Sequence, residues 1–308
     1  MYDLKKHVAS YLTLRRSLGY KLEESERLLN GFVAFLKTKG SRTITSKLAV
    51  EWALLPKNVR SSYGSRRLCV VRLFSQYLIS FIPETEVPEP ALLYSRTKRA
   101  EPYLYSDEQI KQVLNACLKD PTKGLRHLTF YTLFGLLAVT GCRISEMVKL
   151  SIDDVNLKAG IITIRKSKFG KSRYLPIHAS TNDKLITYTN HRSIFIKQPS
   201  TDSFFISEKG KPLTVNTAEI FYVRLSKKIG LRNQADSFGP RIHDFRHTFA
   251  INSLINCYKA NADVDQIIPI LATYLGHKKP SDTYWYLTNV PELMALAAER
   301  LEQSGELL

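Results

Sequence analysis

Apolar residues recur at helical spacing through the first eighty positions. Leu12, Leu14 and Leu18 precede a stop at Gly19, and Leu28, Leu29, Phe32, Phe35 and Leu36 run to a second stop at Gly40. Thr45-Ser46 ahead of Leu48, Val50 and Trp52 predicts a short capped helix. From Tyr63 to Ile79 one face carries Val70, Val71, Phe74 and Leu78, and the opposite face carries Arg66, Arg67 and Arg72. A basic face opposite an apolar stripe suits a helix laid on a polyanion, and it suits an ordinary solvated face equally well.

The period breaks over 82–104, where Pro83, Pro88, Pro90 and Pro102 are interspersed with charges. This predicts a helical domain over 1–82, a linker over 83–104 and a second domain over 105–308. Ser106-Asp107-Glu108-Gln109 has the form of a helix cap with acidic residues in the first turn. The second domain reads as mostly helical, with helices near 214–229, 244–258, 264–275 and 291–304. One β-branched run, Gly160 to Ile164, is followed by the basic turn Lys166 to Ser172 and then by Arg173 to Ile177, which predicts a hairpin. The expected fold is mainly α with a small antiparallel β-sheet, a helical N-terminal domain preceding an α+β domain. No internal repeat or low-complexity segment is visible.

Charge adds a partner class. The 308 residues carry a formal charge of +17 and a sequence pI near 9.6, on an otherwise ordinary globular composition. Residues 1–100 contribute +10 and the remainder +7, so the excess lies on both domains rather than in a tail. Folded basic domains favour a nucleic acid partner. Cys69, Cys117, Cys142 and Cys257 form no CxxC pair, which points to reduced thiols in a cytoplasmic protein and to no metal site. The N-terminus has no apolar signal core, and the stretch Phe130–Val139 falls short of the roughly 20 residues a bilayer requires.

Four separated segments carry candidate chemistry: Thr140-Gly141-Cys142-Arg143-Ile144-Ser145-Glu146, the hairpin turn with Lys168, His243-Asp244-Phe245-Arg246-His247, and Leu275-Gly276-His277 followed nine residues later by Tyr286. Singly, each has a bland reading. Arg143 and Glu146 make an ordinary i, i+3 helix pair, Lys168 a solvated turn residue, His243 and Arg246 a helix start, His277 a helix-end contact and Tyr286 a core aromatic. Their order and spacing together resemble the tyrosine recombinases, the family of phage integrases and chromosome-dimer resolvases. That family has an Arg in a TGxRxxE segment, a Lys in a β-hairpin turn, an HxxR pair, an LGH segment and a nucleophilic Tyr shortly after. The resemblance covers roughly residues 105–290, and the N-terminal region matches only in size and character.

The resemblance implies a site-specific recombinase that cuts and rejoins DNA through a 3′-phosphotyrosine link to Tyr286, with Tyr284 the rival nucleophile. Arg143 and Arg246 would clamp the non-bridging phosphate oxygens, and His243 would act as the base. Lys168, with Lys166 and Lys171 as rivals, would be the acid for the leaving 5′-oxygen. His277 would hydrogen-bond the phosphate, and Glu146 would orient the nearby cations. Arg66, Arg67, Arg72, Lys171 and Arg173 are the candidate DNA contacts. The chemistry needs neither metal nor cofactor, since the phosphotyrosine retains the phosphodiester bond energy. The family works as a homotetramer on paired double-stranded DNA sites, which implies a protein monomeric in free solution, a directionality factor as a further partner and no membrane. By the same resemblance the N-terminal domain clamps DNA, and the apolar side of the last helix, Leu293, Leu296, Ala297 and Leu301, docks on a neighbouring protomer or on its own domain. The Tyr284-Trp285-Tyr286-Leu287 stretch, with no added arm-binding domain ahead of residue 1, favours a recombinase borne on a mobile element over a housekeeping resolvase. A type IB topoisomerase, a DNA-binding relative without activity and an unrelated helix-turn-helix regulator are the alternatives.

Overall fold

The structure, a computed structural model, describes residues 3–57, 61–90, 92–93, 102–121, 124–167, 170–197, 200–236, 239–277, 279 and 281–304. The chain divides into two compact units, Met1–Ala100 and Glu101–Leu308.

The first unit is built from α1 (Leu4–Ser17), α2 (Glu23–Thr38), α3 (Ser46–Leu54) and α4 (Ser61–Leu78). The Asp3 side chain caps α1 through the Lys5 N–H, and the Thr45 hydroxyl caps α3 through the Leu48 N–H. The core joins Val8, Leu29, Phe32, Leu36, Val71, Phe74 and Leu78. On α1 the inward stripe is Leu4, Val8, Tyr11 and Leu12, while Leu14 and Leu18 are exposed. Positions 4, 8, 11 and 12 follow the 3.6-residue period, whereas 12, 14 and 18 do not. Residues past α4 stay with this unit. Ile82 is buried, Glu86 N–H donates to the Ile44 carbonyl at 2.9 Å, and the Glu86 carboxylate accepts the Ser46 N–H at 2.7 Å.

The predicted basic face of α4 divides. Arg66 is exposed and pairs with Glu24, and Arg72 is half-buried. Arg67 turns inward, with its guanidinium 3.6 Å over the Trp52 ring and donating to the Trp52 carbonyl at 2.8 Å. Adjacent helix positions sit about 100° apart, so Arg66 and Arg67 cannot share one outer face. The indole and a carbonyl in the last turn of α3 capture the second of them.

The second unit contains α5 (Asp107–Leu118), α6 (Arg126–Thr140), the one-turn α7 (Ile144–Met147), a 3-10 turn (Ile152–Asp154), and strands β1 (Val155–Asn156), β2 (Ile161–Ile164) and β3 (Arg173–Pro176). Then follow α8 (Ala179–Phe195), α9 (Val215–Lys228), α10 (Asp244–Lys259), α11 (Val264–Leu275), α12 (Ser281–Asn289) and α13 (Pro291–Ser304). Ser106 and Gln109 close a reciprocal capping box on α5. The sheet is antiparallel in the order β1-β2-β3, and Ile162 and Ile164 of β2 face inward. The mainly helical fold with a small antiparallel sheet is therefore the expected one. Strand β1 and helices α8 and α12 are additions: β1 is two residues long, α8 buries only Leu185, Tyr188 and Arg192 along seventeen residues, and α12 is a short nine-residue helix between two expected ones.

One apolar cluster gathers around α6, with Phe134 in contact with Phe221, Tyr222 and Phe245. A second joins α10 to α13 through Ile251, Leu254, Ile268, Leu275 and Leu293. The last helix thus packs on its own unit. Arg300 Nη1 donates to the Ala262 carbonyl at 2.7 Å, and Lys259 meets Glu292 at 3.5 Å. No helix among the described residues is long and apolar enough to cross a membrane.

Candidate active site

Helix α6 ends at Gly141 in the left-handed region, φ 59°. A Cβ there would come within 2.5 Å of the Phe249 ring, so only glycine lets the chain turn sharply while α10 passes close by. That turn delivers Arg143 to the N-cap of α7. The Arg143 backbone N–H donates to Glu146 Oε2 at 3.1 Å, and its guanidinium donates to Glu146 Oε1 at 2.9 Å and to the Gly276 carbonyl at 3.1 Å.

Glu146 is a buried hub. Its side chain is 4% exposed and meets a second arginine, Arg173 of β3, through both oxygens at 3.2 and 2.8 Å. Arg173 Nε also donates to the Tyr274 carbonyl at 2.6 Å, just ahead of the Gly276 turn. Burial alone would raise the Glu146 carboxyl, but the hydrogen bonds and charge of Arg173, then Arg143, hold it below the usual range. Arg173, expected on the outside as a DNA contact, is instead an internal tie between β3, α7 and the end of α11. Its side chain is 8% exposed because Glu146 and the Tyr274 carbonyl both need a donor there. Gly276, φ 69°, makes room for it, since a Cβ would stand 2.9 Å from Arg173 Nη1.

The start of α10 is fixed by its neighbours. Tyr105 stacks on Phe245 with centroids 4.5 Å apart, and its N–H donates to the Thr248 hydroxyl at 3.0 Å. Asp244 accepts from the Arg241 N–H at 2.7 Å and from its guanidinium at 2.8 Å. Arg246 consequently points at two helix ends, donating to the carbonyls of Gly141 at 3.0 Å and Leu275 at 2.8 Å. Desolvation, reinforced by the like charge of Arg143, brings its pKa down to about 10. His243 sits at the N-cap of the same helix. It is exposed at the surface, yet desolvation of the charged ring by its neighbours, and then the nearby Arg246 charge, pushes its pKa down to about 4. It is neutral at pH 7.

Three cations, Arg143, Arg173 and Arg246, surround one carboxylate. The hydrogen bonds of Arg246 to the described residues go to neutral carbonyls, so the cluster has charge to spare for an anion. His277 closes one side, its Nδ1 2.7 Å from the hydroxyl of buried Thr283 on α12. Tyr286, farther along α12, is 1% exposed and lies within electrostatic reach of Arg246. Its phenol oxygen is 3.0 Å from His247 Nδ1. His247 did not emerge from the sequence as a site residue. The available signal was its i+4 spacing from His243 on one helix face, and the two rings do lie 4.9 Å apart.

Arg143, Glu146, His243, Arg246, His277 and Tyr286 thus come together in one region of the second unit. Tyr284, the rival tyrosine, is 41% exposed and lies outside the buried cluster. Lys168 lies outside the described residues. The turn around it is closed by Ser167 N–H to the Lys171 carbonyl at 2.8 Å, and Lys171 Nζ reaches the His277 carbonyl at 3.5 Å.

The profile of the phage integrase family matches residues 104–292. A putative integrase/recombinase of Sinorhizobium fredii, y4rB, is 44% identical over 99% of both chains. Tyrosine recombinase XerD of Staphylococcus haemolyticus is 28% identical over 76% of this chain and 74% of its own. Among solved structures, the Tn1549 transposon integrase in complex with transposon right-end DNA superposes with a TM-score of 0.67 at 16% identity, covering 98% and 99% of the two chains. With the family profile spanning the cluster around Arg143, Arg246 and Tyr286 and full-length likeness to an integrase/recombinase, this chain belongs to the phage integrase family and is a tyrosine recombinase.

Proposed function

We infer that the protein cleaves and rejoins double-stranded DNA through a 3′-phosphotyrosine at Tyr286, in the integration, excision or transposition of a mobile element. The observation that carries this is the convergence of Arg143 and Arg246 on the Leu275–Gly276 turn, with Arg246 near Tyr286, in a cluster with positive charge in excess. A phosphodiester becomes more negative as it passes to the pentacoordinate transition state. Two fixed guanidinium forks are suited to stabilise that change. Tyr286 Oη attacks phosphorus while the 5′-oxygen leaves with a proton from Lys168, and a second 5′-hydroxyl reverses the step on the other strand. His243, neutral at physiological pH, can accept a proton or a hydrogen bond, and His277, oriented by Thr283, can donate one to the phosphate.

Glu146 and Arg173 hold Arg143 and the Gly276 turn in place. Arg66, Arg72 and Lys171, with side chains exposed or half-buried, supply phosphate contacts outside the centre. Double-stranded DNA in the cytoplasm is the substrate, and paired sites require four protomers. Likeness to an integrase/recombinase over 99% of both chains supports the DNA strand-exchange reading.

A nicked duplex carrying the terminal sequence of the element that flanks the gene, run on a denaturing gel, tests the reading. A covalent adduct with wild type and with Tyr284→Phe, absent with Tyr286→Phe, is expected. Relaxation of supercoiled DNA without any dependence on that sequence would point to type IB topoisomerase chemistry instead.

A further inference from the structure

A buried phenol needs a hydrogen-bond partner, and a nucleophilic phenol needs somewhere to send its proton. Tyr286 is 1% exposed and His247 7% exposed, and the contact between them is 3.0 Å, from phenol oxygen to Nδ1. The rings meet edge to face with centroids 5.6 Å apart, and Trp285 packs beside both, 6.0 Å from His247 and 5.3 Å from Tyr286. On its own helix His247 faces His243 at 4.9 Å. The titratable and charged groups near this contact include His243 and Arg246 from α10, and Arg246 feels the charge of both Tyr286 and Arg143.

We propose that His247, in contact with Tyr286 and next to His243 on α10, is the immediate proton acceptor of Tyr286. The proposal rests on Tyr286 being the nucleophile. As the Tyr286 Oη–phosphorus bond forms, the Oη–H bond breaks and its proton passes to His247 Nδ1, leaving an imidazolium. The phosphorus–O5′ bond breaks and the 5′-oxygen takes a proton from the general acid, Lys168. In the rejoining step each transfer runs backwards, and the imidazolium returns its proton to the phenol. The positive charges of Arg246 and Arg143 favour the phenolate as it develops.

His247→Asn is the discriminating variant, because the asparagine oxygen stands where Nδ1 stands and can accept the phenol hydrogen bond without taking the proton. The measurement is single-turnover adduct formation on the nicked duplex between pH 5.5 and 8.5, with DNA binding and thermal unfolding followed in parallel for wild type, His247→Asn, His247→Ala and Tyr286→Phe. His247→Asn is expected to bind DNA and melt like wild type while forming adduct about 100-fold more slowly, the scale of a lost general base. The acidic limb of the wild-type rate profile should disappear with it. A His247→Asn rate equal to wild type overturns the proposal. So does a uniform slowing that leaves the acidic limb in place, which would make His247 a packing residue. Adduct formed by Tyr286→Phe overturns the underlying assignment of the nucleophile instead, whatever the His247 variants do.

Discussion

Replacing Arg173 by alanine separates an internal tie from a surface DNA contact. Arg173 is 8% and Glu146 4% exposed, and they share two contacts at 3.2 and 2.8 Å, with a third Arg173 bond at 2.6 Å to the Tyr274 carbonyl. Removing one member of a buried ion pair costs about 3–5 kcal/mol, because the survivor stays charged without its partner. Glu146 keeps Arg143 at 2.9 Å, so the loss belongs at the lower end, about 3 kcal/mol. In a unit of about 200 residues that lowers the midpoint of thermal unfolding by about 6–12 °C. Circular dichroism melts of Arg173→Ala, Glu146→Gln and the Arg173→Ala/Glu146→Gln pair give the coupling directly. The double variant should lose less than the sum of the two single losses, because each single variant already forfeits the Arg173–Glu146 interaction. An Arg173→Ala protein that melts like wild type, and whose DNA affinity loses about one unit of salt dependence, would refute this reasoning and restore the surface contact.

Other consequences are smaller or more local. Gly141→Ala, forced to φ 59° against the Phe249 ring, should lose more than about 1 kcal/mol of stability, read in a denaturant melt; no loss would contradict the close passage of α10. Arg67→Ala should lower stability by about 1–2 kcal/mol and leave the salt dependence of DNA binding unchanged, while Arg66→Ala should do the reverse. His243, with its pKa lowered from 6.5 to about 4, should titrate near 4 by NMR in the free protein and higher once a phosphate anion is bound. Since the unfolded chain then binds more protons than the folded one between pH 6.5 and 4, this group's contribution to stability is complete above pH 6.5 and is lost as the pH falls through that window. A His243 midpoint near 6.5 in the free protein would contradict desolvation of its ring.

What the sequence reveals and what it hides divide along a physical line. Arg143, Glu146, His243, Arg246 and Tyr286 are readable because each belongs to a short motif whose geometry is local: a glycine turn, a helix start or a helix face. The helices of the first unit are readable for the same reason, apart from α1, where Leu14 and Leu18 are counted inward against the period. Whether an arginine points in or out is not local. Arg67 is captured by Trp52 of another helix, and Arg173 by Glu146 and the Tyr274 carbonyl, 27 and 101 residues away. Helix α8 shows almost no apolar periodicity because it buries few residues. His247 is visible as a letter beside Arg246, but its partner arrives from α12, 39 residues on.

The chemistry proposed for this chain requires that one tyrosine carry the DNA. Peptide mapping by mass spectrometry of the trapped wild-type adduct, after digestion of protein and nucleic acid, addresses it most directly. A nucleotide remnant on Tyr286 alone is expected. A remnant on Tyr284, or on a residue other than a tyrosine of α12, would contradict it.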